Sequence, residues 1–125
     1  MPYSPNPQHR NTQFSSTKSQ WTIPIPAEEA SFNHSVDQNW ATNNIYWGLH
    51  LVELKPENLG ISPCSNQLFI AKFVSDQGNW HGYPVATWLS PFDKPDEQTL
   101  TVWENRGLIS TPKKSKIHRG KRCSL

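Results

Sequence analysis

The chain has 125 residues, 34% hydrophobic and 11% aromatic, which is enough for one small core and no more. Asn105 to Leu125 carries seven Lys and Arg and no Asp or Glu, while the first 104 residues carry five Lys and Arg against ten Asp and Glu; the net charge of +2 therefore hides a body near −5 and a tail near +7. No apolar run approaches the roughly 18 residues of a membrane helix, the first residues lack the charged and apolar regions of a secretory signal, and the expectation is a soluble, cytoplasmic protein with no membrane contact.

Residues 1–20 hold Pro2, Pro5 and Pro7 among Ser, Asn, Gln and Thr, and only Met1, Tyr3 and Phe14 have apolar surface to bury. So little apolar surface does not offset the entropy of ordering the segment, which reads as a disordered arm. Trp21, Ile23 and Ile25 then alternate as a short extended stretch before Pro26. Pro26 to Ala30 reads as a first helical turn, with proline early and Glu28 and Glu29 near the positive end of the dipole. The continuation through Asn33, Asn39, Asn43 and Asn44 is poor in helix formers, so a short or broken helix is expected.

Ile45 to Leu54 is the first strongly apolar run, and both residue parities are apolar, as in a central strand covered on two faces. Leu68 to Val74 is a second such run, followed by turn chemistry at Ser75 to Asn79. Trp80 to Leu89 follows, interrupted by Pro84, which cannot donate to a ladder and marks an edge or bulged strand. Asp93, Pro95, Asp96 and Glu97 crowd the start of a helix over about residues 96–106, and Gly107 sits at its end. Ser110, Thr111 and Pro112 open a second, short helix that ends at Gly120 and must dock through Ile109 and Ile117 to persist. Six tryptophans (Trp21, Trp40, Trp47, Trp80, Trp88 and Trp103) make up for few aliphatic residues, since each buries on the order of 200 Å².

The fold expected is α+β. It comprises a domain over residues 21–110 with a small antiparallel sheet of about three strands and two or three short helices, a disordered arm over 1–20 and a basic segment over 111–125.

Helix, glycine, turn and basic helix follow the order of a helix-turn-helix, with Lys113, Lys114, Lys116, His118, Arg119, Lys121 and Arg122 offering cations to phosphates. Val102 to Arg122, over about 20 residues, loosely resembles the stretch after the recognition helix of mercury-resistance-type regulators. That family's upstream helical pair would fall where this chain reads as sheet, and no function is carried over. A solvated basic end that favours solubility is the plainer account, and docking on an acidic protein is a third.

Asn79 to Pro84 is the densest signal in the body. His81, beside Gly82 and between two aromatics, has the chemistry of a general base, although a turn-proximal histidine packed on Trp80 or Tyr83 also accounts for it. Trp80, His81, Tyr83 and Trp88 equally suit a partner-binding patch. His34, His50, Cys64, His81, His118 and Cys123 show no metal-ligand spacing, and no glycine-rich phosphate cradle is present, so no metal or cofactor is expected. Cys64 and Cys123 read as free thiols.

The leading expectation is a small non-enzymatic module whose basic end contacts nucleic acid or another polyanion, with a protein partner at the aromatic patch. The alternatives are a His-dependent enzyme or toxin centred on His81, helped by Asp76, Tyr83 or His50, and an immunity-type antagonist that binds a basic partner through the acidic body.

Overall fold

Because the run beginning at Ile45 is apolar on both parities, it forms the strand on which everything else is layered. A computed structural model describes all 125 residues. In chain order the elements are β1 (Gln20–Trp21), α1 (Ile25–Asp37), β2 (Ala41–Thr42), β3 (Ile45–Val52), β4 (Lys55–Glu57), β5 (Gly60–Ile61), β6 (Gln67–Leu68), β7 (Ile70–Asp76), β8 (Asn79–Val85), α2 (Glu97–Asn105) and α3 (Thr111–His118), with short 3₁₀ turns at Pro7–Arg10, Thr12–Phe14 and Pro91–Asp93.

The fold is α+β, but the strands form two antiparallel sheets rather than one of about three strands. The larger has five strands in the order β2-β3-β7-β8 with β4 paired to β3, and the smaller has the order β1-β5-β6. The additional strands run two or three residues each, too short for alternation to register in sequence. Two-residue turns with positive φ at both positions close the three hairpins of the large sheet: Asn43–Asn44, Glu53–Leu54 and Gln77–Gly78.

Pairing Trp47 with Lys72 and Lys72 with Tyr83 puts these residues on one face of the sheet, with Leu49, Ile70 and Val85. That face packs on Leu100 and Trp103 of α2, on Ile117 of α3 and on Ile109 between them, all at most 4% exposed. The opposite face carries Phe73 and Ala71, which pack with Phe32 of α1 and with Trp21, Ile23 and Leu59. Phe73 is flanked by glycines: a Cβ at Gly82 would lie 2.2 Å from its ring, and one at Gly48 would lie 2.6 Å away. The two glycines make the space that this ring fills.

α1 runs 13 residues unbroken through Asn33 and ends at Asp37, before Asn39, Asn43 and Asn44, which take positive φ. Packing decides the matter, since the Phe32 ring centroid lies 5.3 Å from that of Phe73 and α1 lies along β3. The hydroxyls of Ser31 and Ser35, both buried, donate back to the carbonyls of Ala27 and Phe32.

The arm over residues 1–20 is not disordered. Tyr3 bridges Trp80 in parallel, with Ser4 N–H donating to Trp80 O at 2.8 Å and Trp80 N–H donating to Pro2 O at 2.9 Å, so the arm covers the outer edge of β8. The Tyr3 hydroxyl donates to Glu28, whose side chain is fully buried on α1, and Arg10 closes on the same carboxylate, its Nε and a terminal nitrogen lying 2.9 and 2.8 Å from Oε1. Arg10 also donates to Ile23 O at 2.8 Å. Composition missed this because the anchor is a polar cluster completed by a carboxylate 18 residues beyond Arg10.

α2 and α3 follow their sequence signals closely. Asp96 caps α2 through Thr99 and Ser110 caps α3 through Lys113 N–H. Gly107 and Gly120 take φ of 72° and 71°, and after each the chain folds back, Leu108 N–H to Trp103 O and Lys121 N–H to Lys116 O. No helix is long and apolar enough to cross a membrane.

Two outcomes check this layering by chemical denaturation. Arg10→Ala leaves the Glu28 charge buried without its cation and should cost about 3 kcal/mol, the low end for a broken buried pair because Arg10 keeps some water contact. Gly82→Ala forces the Phe73 ring out of its slot and should cost about 2 kcal/mol or more.

Candidate functional site

A cleft of about 470 Å³ opens where the arm folds across β8, lined by His9, Lys18 and Ser19 from the arm side and by His81, Tyr83 and Asp93 from the sheet side. His81 and Tyr83 lie two apart on β8 and so project from the same face. His9, only 8% exposed, stacks on Tyr83 with ring centroids 5.0 Å apart and planes 15° from parallel. Its Nδ1 lies 2.8 Å from Ser19 O. A carbonyl only accepts, so Nδ1 carries the proton and Nε2 holds the lone pair. No group of the chain bonds Nε2, and it is not among the sealed, unpartnered side-chain nitrogens, which are the indoles of Trp40, Trp47 and Trp103. Ser19 is itself fixed, its hydroxyl donating to Pro84 O at 2.6 Å.

Burial pushes the His9 imidazole below its ordinary 6.5, against the Ser19 carbonyl, which favours the cation; Lys18 and His81 add repulsion. The ring is thus kept as a neutral base. Tyr83 moves the other way, raised first by burial and then by the Asp93 charge, so its phenol stays protonated at neutral pH. Asp93 is the one carboxylate lining the cleft, and it is compensated by the buried Lys72, whose Nζ lies 3.3 Å from Oδ1 and donates to Phe92 O at 2.7 Å.

Of the aromatic patch singled out in the sequence, the sheet unites His81 and Tyr83 and separates the others. Trp80 points to the opposite face, where its ring meets Tyr46 and Phe32 at centroid distances of 5.2 and 5.7 Å. Trp88 is half-buried in the turn after β8, and Leu89, its exposed neighbour, reaches the cleft rim instead. Asp76 lies at the exposed tip of the β7–β8 hairpin, and His50 lines a groove between β3 and α1 with His34; neither reaches His81. His9 escaped the sequence reading because its neighbours, Gln8 and Arg10, sit in a proline-rich polar stretch, and only the fold of the arm gives it a role.

The basic segment is ordered on the body through Ile117, which is 1% exposed. Lys114 pairs with Glu104 at 3.6 Å, and Lys113 Nζ donates to Leu125 O. His118 is exposed, and its carbonyl accepts from Lys94 Nζ at 2.5 Å. Lys116, Arg119, Lys121 and Arg122 are exposed, and no carboxylate of the chain pairs with any of them. The turn at Gly120 brings the Lys121 backbone N–H onto the Lys116 carbonyl, so the chain doubles back at the end of α3. Arg122 donates to Asn66 Oδ1 at 3.2 Å, and Asn66 closes a loop with Ser62, which together with Pro63 walls the cleft. One wall therefore separates the basic face from the histidine cleft.

No three His, Cys, Asp or Glu side chains gather as a metal site. Cys64 is exposed and Cys123 half-buried, both free; burial raises the Cys123 thiol against the lowering effect of Lys113 and Lys116. No family model, no curated protein and no solved structure matches this chain.

The depressed His9 gives a signed expectation for stability. Below pH about 6.5 the unfolded chain takes up a proton that the folded His9 refuses, so stability falls with pH from that value until the folded ring titrates. His9→Asn, which keeps a donor for Ser19 O, should show less loss of denaturation free energy between pH about 7.5 and 5 than the parent, the remaining histidines being common to both.

Proposed function

We propose that this chain is a nucleic-acid-binding module that holds the phosphate backbone on the face formed by the last turn of α3 and the loop after it. The observation that carries the reading is that Lys116, Arg119, Lys121 and Arg122, close together in sequence, are all exposed and without carboxylate partners on a segment anchored by Ile117. Anchoring matters because charges already held in place lose less entropy on binding. Their position near the negative end of the α3 dipole also favours them in the free protein.

Backbone contact fits better than base reading. A recognition helix meets base edges with its N-terminal residues, whereas α3 begins with Thr111 and Pro112 and places its free cations at the other end. The module should therefore bind with little sequence preference and with affinity set by salt.

Four neutralised phosphates give a log–log salt slope of about −3.6 on duplex DNA and about −2.8 on single strands. Changing Lys116, Arg119, Lys121 and Arg122 to Gln should remove most of the affinity and flatten the slope, read by fluorescence anisotropy of a labelled oligonucleotide. An unchanged slope, or no binding by the parent at low salt, would sink the proposal. Binding to heparin but to no nucleic acid would do the same.

A further inference from the structure

We propose that the cleft between the N-terminal arm and β8 is an acid–base site that cleaves RNA by transphosphorylation, with His9 as the base and His81 as the acid. This rests on the nucleic-acid-binding reading above and names the substrate and chemistry of a second site beside it.

Cleavage of RNA beside its own 2′-hydroxyl needs one group to take a proton and another to give one, on opposite sides of the reacting phosphorus. The cleft holds two imidazoles, one of them with its protonation fixed. With Nδ1–H committed to Ser19 O, the lone pair of His9 Nε2 is the only part of that ring left for chemistry. An imidazole 92% buried, partnered on one nitrogen and unpartnered on the other, in the wall of an open cleft, is an unusual use of a polar side chain unless a ligand group meets it. Stacking on Tyr83 holds the ring plane.

In the step inferred, His9 Nε2 takes the proton from the 2′-hydroxyl as O2′ bonds to the adjacent phosphorus. The bond from phosphorus to O5′ breaks, and O5′ leaves with a proton from the His81 imidazolium. The products are a 2′,3′-cyclic phosphate and a 5′-hydroxyl. No electrons change hands, and proton exchange with water resets both rings. Lys18 supplies positive charge for the phosphorane oxygens, and the neutral phenol of Tyr83 adds a donor. Asp93 opposes the phosphate least while Lys72 compensates it.

The approach to the cleft suits the same substrate. The 62–66 loop has Arg122 on one side and the cleft on the other, so a strand lying on the basic face meets the cleft next. Leu89 and Phe92, 66% and 78% exposed, stand at and beside the rim, where an unstacked base needs an apolar surface.

The test uses the full chain with a mixed-sequence single-stranded RNA and its all-2′-O-methyl analogue. The RNA should be cut to fragments ending in 2′,3′-cyclic phosphate and 5′-hydroxyl, identified by mass spectrometry, and the analogue should be bound but left whole. His9→Asn and His81→Asn should each slow cutting at saturating RNA by about 100-fold or more. Binding of the analogue with no cutting of the RNA would overturn this inference and leave the binding module standing, whereas binding of neither would remove both. Equal rates in parent and variants, or ends bearing 3′-hydroxyl and 5′-phosphate, would also overturn it. Should His9→Asn fail to fold, His81→Asn and the end groups made by the parent decide the question.

Discussion

A fully buried carboxylate organises this molecule. Glu28 sits on the inner side of α1 with no exposed surface, and an ionised carboxylate there costs several kcal/mol unless it is paired and hydrogen-bonded. The partners come from Tyr3 and Arg10, so burial of α1 against the sheet obliges the first ten residues to fold back over it. Several consequences follow from that one demand. The exposed edge of β8 acquires a cover at Trp80, the carbonyl of Ile23 acquires a donor, and His9, the residue beside Arg10, is carried onto Tyr83. Tyr3 in turn is held as a phenol, raised by burial and then by its bond to Glu28. A segment that looks unfoldable by composition is thereby held in place by polar contacts.

The remaining architecture shows which features a sequence displays. Runs with two apolar parities, such as Ile45 to Val52, and helices with a cap, a glycine stop and an apolar pair, such as α2 and α3, were legible because each signal is local and redundant. Pro84 was legible as an edge marker, and β8 is indeed the last strand of its sheet. The short strands β1, β2, β4, β5 and β6 were not, since two or three residues carry no periodicity. The length of α1 was also hidden, because Asn33 and the two serines of the helix give way to packing of Phe32 against Phe73, a contact 41 positions away in sequence. Gly48 and Gly82 belong to the same class, being required by a ring on the strand between them.

The candidate site was half visible. His81 and Tyr83 announced themselves beside Gly82, but the sheet pleat sends Trp80 away from them and the arm delivers a second histidine in its place. The basic segment was plain in composition, and what the fold adds is anchoring and direction: Ile117 seats it, the turn at Gly120 doubles the chain back on α3, and Arg122 reaches the loop that walls the cleft. The free cations and the cleft thus share a wall. Asp93 and Lys72 show the opposite arrangement, a charge pair that keeps the cleft from being acidic.

The central claim is that the Glu28 clamp places His9 in its cleft, and the His9 ring reports its own position. The most direct measurement is an NMR titration of the His9 ring carbon-bound protons in the parent and in Glu28→Ala. The parent should titrate below the ordinary 6.5, and loss of the clamp should return the midpoint to about 6.5 as the arm leaves the sheet. A depressed midpoint that is the same in both proteins would show that the arm is seated without Glu28 and would contradict the account.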